Sequence, residues 1–190
     1  MVFTLAGASV LRQAPVLETP RLRLRAHRAD DLDALHAIWC DPDVYRYIGG
    51  EPATRQDVWM RLLRYGGMWP LLGYGFWAVE DKATGAFVGD LGYADFQREI
   101  TPSLEGMLEL GWVLAPSVHG RGYASEALAA VLGWGDRYLG AHREACIISP
   151  ENAASIRLAE KAGFRGWCET TFHDAPIRMF TRDVPAPVGA

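Results

Sequence analysis

The segment LGWVLAPSVHGRGYASEAL, residues 110–128, is the most informative part of this 190-residue chain. Its apolar beginning is typical of a strand, and Pro116 ends the strand because proline offers no backbone N–H to the ladder. Gly120 and Gly122 then allow a tight turn in which backbone N–H groups approach a ligand without a Cβ in the way. A helix is predicted to begin after Ala124. The segment therefore predicts a strand, a glycine-rich turn and a helix, in that order.

The start of the predicted helix is a candidate site for an anion such as a pyrophosphate. The first N–H groups of a helix have no partner inside it, and the positive end of the helix dipole adds to their attraction for negative charge. Arg121 supplies a further charge contact. The alternative is a plain strand-to-helix turn, since a GxG sequence is common. The turn is not a P-loop, because no Lys-Ser/Thr pair follows it, and it lacks the GxGxxG spacing of a dinucleotide fold.

Outward from this segment, the hydrophobic pattern predicts a single domain over residues 15–183. The ends, 1–14 and 184–190, show no periodicity and are expected to be loose. The element order β-α-α-β-β-β-α-β-α-β-β indicates one mixed sheet with helices packed on it, an α+β fold. Strands are predicted within 19–28, 73–81, 85–96, 106–114, 144–149, 164–173 and 176–183. Helices are predicted after Asp31, after a capping Thr54, after the glycine turn and over 152–162.

Composition and charge exclude several classes of protein. Hydrophobic residues make up 49% and charged residues 22% of the chain, which is ordinary for a globular protein and argues against disorder. The net charge of −4 leaves no basic excess for a binder of nucleic acid. No apolar run reaches the roughly 20 residues that span a bilayer, and the N-terminus lacks the basic start of a secretory signal. Three scattered cysteines fit neither a disulfide framework nor a zinc site, so the sequence predicts a cytoplasmic protein without a metal.

A second segment, NAASIRLAEKAGF at residues 152–164, reads as a helix with clear ends. Asn152 is a favourable N-cap. Gly163 suits the left-handed position after the last turn, and Phe164 can make the apolar contact that accompanies it. Capping explains these three residues without any function. Capping does not explain why such a helix comes one strand beyond the glycine turn.

Together, the two segments resemble the GNAT superfamily of acyl-CoA-dependent N-acetyltransferases. The first is similar to the family's Q/R-x-x-G-x-G/A pyrophosphate loop, with His119 in the place of Gln or Arg, and with Gly122 and Ala124 at the small positions. The second resembles the family's Asn-x-x-Ser/Ala…Lys-x-Gly-Phe helix. The segments LETPRLRLR and WCDPDVYRYIG resemble the opening of the branch that acetylates the N-terminal amines of ribosomal proteins. The resemblance implies a central mixed, mostly antiparallel sheet of about seven strands, with helices on both faces and a cleft where the fourth and fifth strands splay apart.

The resemblance also implies how acetyl-CoA is bound as co-substrate. A backbone N–H of the fourth strand, at Val113 or Leu114, would polarise the thioester carbonyl. The Asn152 side chain would reach the pantetheine amides. The pyrophosphate would be held by the loop and the first helical turn, which comprise His119, Gly120, Arg121, Gly122, Tyr123, Ala124 and Ser125.

For catalysis, the resemblance implies direct attack of a neutral amine on the thioester, helped by the proximity of the two bound reactants. Glu109 on the fourth strand is the first candidate for the general base, and the alternative is a salt-bridged strand residue. Glu105 and His173 are further candidates. Ser155 is placed to hydrogen-bond the CoA sulfur, while Ala159 stands where many family members carry a tyrosine acid.

The predicted partners are acetyl-CoA and an amine, with no nucleic acid and no membrane, and a homodimer is a possible assembly. The amine is left open between a protein N-terminus and a small molecule. Two other functions remain as alternatives, a catalytically silent acyl-CoA-binding or sensor module and a protein that binds ATP with its glycine turn. Asp90, on a predicted strand, either faces the cleft or caps a bulge. The candidate walls of the acceptor pocket are aromatic, namely Trp39, Tyr45, Tyr47 and Trp77, with Trp69 and Trp112.

Overall fold

The computed structural model describes residues 11–140 and 142–185. The strands are β1 (Leu17–Glu18), β2 (Leu22–Arg25), β3 (Phe76–Asp81), β4 (Phe87–Ala94), β5 (Leu108–Leu114), β6 (His142–Ile148), β7 (Arg165–Phe172) and β8 (Ala175–Val184). The helices are α1 (Leu32–Trp39), α2 (Pro42–Tyr45), α3 (Arg55–Leu72), α4 (Tyr123–Tyr138) and α5 (Ala153–Lys161). Short 3-10 helices lie at Ala29–Asp31 and Pro116–Val118.

One eight-stranded sheet runs through the described residues in the order β1-β2-β3-β4-β5-β6-β8-β7. Neighbouring strands are antiparallel except β5 and β6, which are parallel. The predicted mixed, mostly antiparallel sheet is thereby confirmed. The seven predicted strands correspond to β2 through β8. The extra strand, β1, has only two residues and is too short to leave a hydrophobic period in the sequence.

Local sequence determines where the helices begin and end. At the start of α3, the Asp57 N–H donates to the Thr54 hydroxyl, and the Thr54 N–H donates back to the Asp57 carboxylate. The helix ends at Gly73, whose φ of +80° is the left-handed conformation that favours glycine. The single-turn helix α2 begins at Pro42 after an Asp41 cap. The sequence did not predict α2, because four residues are too few to show a helical period.

Different helices cover the two faces of the sheet, and the side chains of β5 alternate between them. Leu110 belongs to the main apolar cluster, which contains α4 residues such as Leu128. Val113, on the opposite face, packs against a second cluster formed by α1 and α3, with Leu35 and Leu62 among its members. Helices on both faces of the sheet agree with the predicted architecture. The two faces are called here the α4–α5 face and the α1–α3 face.

The strands β5 and β6 pair only at their beginnings, where Leu108 is opposite Glu144 and Glu109 is opposite Ala145. Beyond these pairs β5 continues to Leu114 and β6 to Ile148 without further pairing. The carboxyl ends of the two strands therefore diverge. This divergence is the cleft that the family resemblance predicts between the fourth and fifth predicted strands.

A buried network holds the base of the divergence together. The Glu144 carboxylate is 0% exposed and accepts from the Tyr93 hydroxyl at 2.8 Å and from the Arg182 guanidinium at 2.7 Å. The Nε2 atom of His142 lies 3.0 Å from the same carboxylate. Arg182 also donates to both oxygens of Asp136 on α4, at 2.6 and 2.8 Å. The network thereby joins β4, β6, β8 and α4 where β5 and β6 begin to part.

The ends of the chain only partly test the prediction of loose termini at 1–14 and 184–190, because most of those residues lie outside the described ranges. Ala14 is buried in the main cluster and Val184 is the last residue of β8, so the prediction is wrong at these two positions. Within the ranges that the structure describes, no helix combines the length and the apolar character needed to span a membrane.

Candidate active site

A cleft of about 460 Å³ lies at the end of β5, beyond the point where this strand diverges from β6. The glycine turn, the first turn of α4 and the first turns of α5 line it, and α2 closes one side. The structure brings most of the residues that sequence analysis singled out to this cleft. They are Val113, Leu114, His119, Gly120, Gly122, Tyr123, Ala124, Ser125, Asn152 and Ser155.

The first turn of α4 is open to a ligand. Its N-cap is Gly122, with φ of +78°, and no side chain caps this helix among the described residues. A Cβ built on Gly120 would meet no atom within 4 Å, so the turn leaves room for a group to approach the backbone. Unpaired N–H groups at the positive end of a helix bind phosphate oxygens well. The turn therefore fits the pyrophosphate of a coenzyme A molecule.

The glycine turn is braced by Arg21, the residue just before β2. Arg21 donates from Nη1 to the carbonyl oxygen of Arg121 at 2.7 Å and from Nε to Glu126 at 2.7 Å. The Glu126 carboxylate also accepts from the Thr19 hydroxyl at 2.6 Å. Sequence reasoning missed Arg21, because its contact with the turn joins residues 100 positions apart and leaves no local pattern.

Tyr123 anchors α4 beneath the turn. Its hydroxyl donates to the Asp81 carboxylate at 2.6 Å, and this hydrogen bond raises the pKa of Tyr123 and lowers the pKa of Asp81. The guanidinium carbons of Arg21 and Arg121 lie 4.5 and 5.0 Å from the centre of the tyrosine ring. The Arg121 side chain thus packs on Tyr123 and does not line the cleft, so the structure does not support its predicted contact with the pyrophosphate.

His119 joins the glycine turn to the end of β5. Its Nε2 atom lies 2.9 Å from the carbonyl oxygen of Leu114. Because a carbonyl oxygen can only accept, this hydrogen bond places the proton on Nε2. His119 stands where the family usually has Gln or Arg, and here it ties the glycine turn to the end of β5.

Of the two backbone donors predicted on β5, the structure favours Leu114. The N–H of Ala115 donates to the carbonyl of Val88, at the β4 side of the strand, at 2.9 Å. Successive N–H groups of a strand point to opposite sides, so the Val113 N–H also points to β4 and the Leu114 N–H points to the cleft. Val113 lines the cleft but is not placed to donate its N–H to the thioester.

Asn152 and Ser155 are held in position at the start of α5. The Ser155 N–H donates to Asn152 Oδ1 at 3.0 Å, so this oxygen caps the helix and the amide nitrogen is left as a donor for a ligand. The indole Nε1 of Trp112 donates to Ser155 Oγ at 3.2 Å. The serine hydroxyl can therefore still donate its own hydrogen to a group in the cleft.

Glu109 lies outside the cleft, in a neighbouring cavity of about 270 Å³ that Glu105 also lines. Its two carboxyl oxygens accept from Nε and Nη2 of Arg98 at 2.7 and 2.8 Å. The Arg98 guanidinium carbon in turn lies 4.7 Å from the ring centre of Phe96 and 4.9 Å from that of Phe172. The structure therefore places Glu109 in the salt-bridged arrangement that the sequence left as the alternative to a general base.

The structure separates the aromatic residues that were candidates for the acceptor walls. Tyr47 lines the cleft, together with Trp112, whereas Tyr45 does not. Trp39 is 3% exposed and Trp77 is 0% exposed. Trp77 packs edge-on against Trp69 in the main core, with ring centres 4.6 Å apart. The expectation that Trp39, Trp69 and Trp77 line the acceptor pocket is therefore wrong, because these rings fill the core.

Three cationic residues that line the cleft were missed by sequence reasoning, namely Arg46, Arg157 and Lys161. Arg157 and Lys161 are four positions apart on α5 and so share one face of the helix, a spacing that is visible in the sequence. Arg46 pairs with Asp43 at 2.9 Å. His173, a further candidate base, is exposed in the turn between β7 and β8, away from the cleft-lining residues.

Comparison with known proteins identifies the family to which this chain belongs. The profile of a family described as "Acetyltransferase (GNAT) domain" matches residues 21–165. The uncharacterized protein YkkB of Bacillus subtilis is 35% identical over 172 residues, which cover 87% of this chain and 94% of YkkB. A GnaT-family acetyltransferase from Bordetella pertussis has a TM-score of 0.79 and 32% identity, covering 89% of this chain and 99% of that chain.

A more distant solved structure shows a likeness in fold alone. The RimL ribosomal L7/L12 α-N-protein acetyltransferase, solved in complex with coenzyme A, has a TM-score of 0.71 at 16% identity, covering 90% of this chain and 98% of that chain. The matched family profile spans every residue that lines the cleft and confirms the family that the two motifs predict. The chain is a member of the GNAT family, an acetyltransferase that moves an acetyl group from acetyl-CoA to an amine.

Proposed function

We propose that transfer occurs by direct attack in a ternary complex, with acetyl-CoA in the cleft and the amine on the α1–α3 face. One observation carries this proposal: the cleft-facing N–H of Leu114, the open first turn of α4 and the Ser155 hydroxyl all border the same cleft. These groups are the donors needed along a coenzyme A molecule, from its pyrophosphate to its thioester. None of the three cysteines lines the cleft, so the proposed reaction uses no acyl-enzyme.

Each donor has a proposed role in the reaction. The first turn of α4 holds the pyrophosphate, and the amide nitrogen of Asn152 donates to the pantetheine arm. The Leu114 N–H donates to the thioester oxygen, where negative charge develops as the amine attacks. The Ser155 hydroxyl donates to the sulfur as the thiolate leaves. Because both reactants are held together, proximity supplies much of the rate.

We further propose that the acceptor is an α-amine, on a peptide N-terminus or on a small molecule. Both oxygens of Glu109 are occupied by Arg98, which leaves that carboxylate poorly placed to deprotonate a strongly basic amine. An N-terminal amine has a reference pKa near 7.7–8.0, against about 10.4 for lysine, so a larger fraction of it is neutral at pH 7. A weaker base is then sufficient.

Thermal unfolding with added ligands tests the cleft. CoA at 100 times its Kd is expected to stabilise the protein by about 2.7 kcal/mol, which corresponds to a Tm increase of roughly 5–10 °C. ATP at the same concentration is expected to give little shift, because it lacks the pantetheine arm that pairs with β5. Protection by ATP and not by CoA would contradict the assignment of the cleft and favour a nucleotide-binding protein.

A panel of amines tests the acceptor. Acetyl-CoA turnover is measured with peptides that vary in their first residue, and with polyamines and aminoglycosides. At least one α-amine is expected to be acetylated. Lysine side-chain amines are expected to be acetylated more slowly. If CoA binds and no amine is acetylated, the result supports the alternative of a non-catalytic acyl-CoA-binding module.

Replacement of Ser155 by alanine is expected to lower kcat about tenfold while the Kd for CoA stays within about twofold, since one hydrogen bond to a developing charge is removed. Steady-state kinetics and calorimetric titration measure the two quantities. Ser149→Ala is the matched control, because Ser149 is near α5 but does not line the cleft. An equal kcat in the two variants would remove Ser155 from the proposed mechanism.

A further inference from the structure

Unpaired buried polar atoms are concentrated on the α1–α3 face of the sheet. Of the six such side-chain atoms in the described residues, five belong to His27, Trp39, Arg61 and Asp90, and Asp90 contributes both carboxyl oxygens. The guanidinium carbon of Arg61 lies 3.6 Å from the centre of the Trp39 ring, and His27 packs against Tyr65 at 5.1 Å. Buried polar groups are nearly always paired, so a group of unpaired ones requires an explanation.

Asp90 is fully buried on β4, one strand away from the end of β5 that lines the cleft, and it lines neither of the two cavities described above. It is directly opposite Val113 in the pairing of β4 with β5. Side chains of directly opposite residues share a face and have Cβ atoms about 5 Å apart. Val113 lines the cleft and precedes Leu114, the proposed donor to the thioester oxygen. Because Val113 packs on the α1–α3 face, the Asp90 carboxyl group is on that same face, where the amine is proposed to bind.

The surroundings of Asp90 suit a group that exchanges a proton near neutral pH. Burial raises the pKa of Asp90 to about 7, against the lowering effect of nearby positive charges. Its neighbour in β3, Ala78, adds no charge. Burial also lowers the pKa of His27 to about 4, so that imidazole is neutral at pH 7. The charged and titratable groups that face Asp90 are Arg61, Arg64 and Tyr65 from α3 and Asp31 from the first 3-10 helix, with His27 and Arg25 beyond them.

We propose that Asp90, rather than Glu109, accepts the proton that the amine loses during acetyl transfer, through a water beside Val113. The inference rests on the proposed ternary-complex reaction. The Asp90 carboxyl oxygens have no hydrogen-bond partner within 3.5 Å, and the Tyr65 hydroxyl stabilises the carboxylate only weakly from farther away, whereas both Glu109 oxygens are bound by Arg98. A carboxylate without a partner is free to take a proton, and an ion-paired one must first give up its guanidinium.

The proposed step forms one bond, breaks one bond and moves one proton through Asp90. The amine nitrogen forms a C–N bond to the acetyl carbon, and the C–S bond to coenzyme A breaks with its electron pair on sulfur. The proton leaves nitrogen and passes through the water to the Asp90 carboxylate. Protonated Asp90 then returns the proton to the thiolate, which leaves as free CoA, and the carboxylate is restored.

The test compares the pH dependence of kcat/KM for the wild type, Asp90→Asn and Glu109→Gln, using the amine with the highest turnover in the panel. The titration of the amine itself is the same in all three proteins and cancels in the comparison. In the wild type, activity is expected to fall below an apparent pKa of about 7. Asp90→Asn is expected to lose this dependence and at least about 100-fold in kcat/KM, with an unchanged Kd for CoA. Glu109→Gln is expected to keep the dependence.

A second measurement needs no acceptor. Because the pKa of Asp90 is about 7 in the folded protein and about 3.9 in the unfolded chain, stability is lost as the pH rises from about 4 to 7. Asp90→Asn removes this loss, so its Tm relative to wild type is expected to be several degrees higher at pH 8 than at pH 5. The contribution of His27 is present in both proteins and cancels.

The outcomes separate this inference from the function on which it rests. If Glu109→Gln abolishes the pH dependence and Asp90→Asn keeps it, Asp90 is not the proton acceptor although the transferase reaction stands. If no amine is acetylated, the proposed acceptor class fails, and the stability comparison alone decides about Asp90. A relative Tm of Asp90→Asn that is equal at pH 5 and pH 8 overturns the inference in either case.

Discussion

Replacement of Gly122 by valine is expected to lower the affinity for CoA at least about 100-fold, or about 2.7 kcal/mol, in calorimetric titration. Gly122 has φ of +78° and is the N-cap of α4, where a β-branched residue is strongly disfavoured. The valine side chain would also project from the turn whose N–H groups are proposed to hold the pyrophosphate. A Cβ at this position would meet only the Arg21 guanidinium, at 3.4 Å, so the core is left intact.

The matched control for this variant is Gly85→Val. Gly85 has φ of +71° in the hairpin between β3 and β4, and a Cβ there would meet no atom within 4 Å. Both variants are expected to lose about 1–2 kcal/mol of stability from the left-handed backbone, but Gly85→Val is expected to bind CoA normally. If the two variants bind CoA equally well, the glycine turn is not part of the coenzyme site.

Replacement of Glu144 by alanine is expected to lower the free energy of unfolding by about 3–5 kcal/mol, with a fall in Tm of roughly 10 °C. The Glu144 carboxylate is fully buried and accepts from Tyr93 and Arg182, with His142 beside it. Its removal leaves buried donors without a partner and an incompletely compensated arginine, although Asp136 still pairs with Arg182. Urea unfolding and calorimetry measure the loss.

The control for this variant is an exposed ion pair of the same kind. Asp33 lies 2.7 Å from Arg55, and the two side chains are 83% and 59% exposed. Asp33→Ala is expected to cost no more than about 0.5 kcal/mol, because an exposed pair contributes little in water. A similar cost for Asp33→Ala and Glu144→Ala would show that the buried network does not stabilise the base of the cleft.

Much of the fold and of the coenzyme site was predictable from sequence. The glycine turn, the start of α4 and the Asn152 cap all depend on residues that are a few positions apart. The same holds for the alternation that predicted seven of the eight strands in the described residues. Most of the residues predicted to hold the pyrophosphate therefore line the cleft, because one local turn carries them.

The sequence did not predict which aromatic side chains are buried or which charged side chains form ion pairs. The sequence shows that Trp39 and Trp77 are large and aromatic, but the rings enter the core only because helices α1 and α4 pack on opposite faces. Glu109 is on the strand that the sequence predicts for it. Its partner Arg98, however, reaches it from a loop that has no hydrophobic period. Such contacts depend on the path of the connecting segments.

The amino-acid sequence alone determined the order of elements, the family and the glycine turn that lines the cleft, since caps, glycine conformations and hydrophobic periods act over short stretches of chain. Only the tertiary structure decided which groups in and around the cleft are free to react. It showed that the Leu114 N–H points to the cleft, that Arg21 braces the turn, and that Asp90 is buried with no hydrogen-bond partner within 3.5 Å. These properties arise when residues distant in the chain become neighbours, and the resulting burial and charge environment has no counterpart in local sequence.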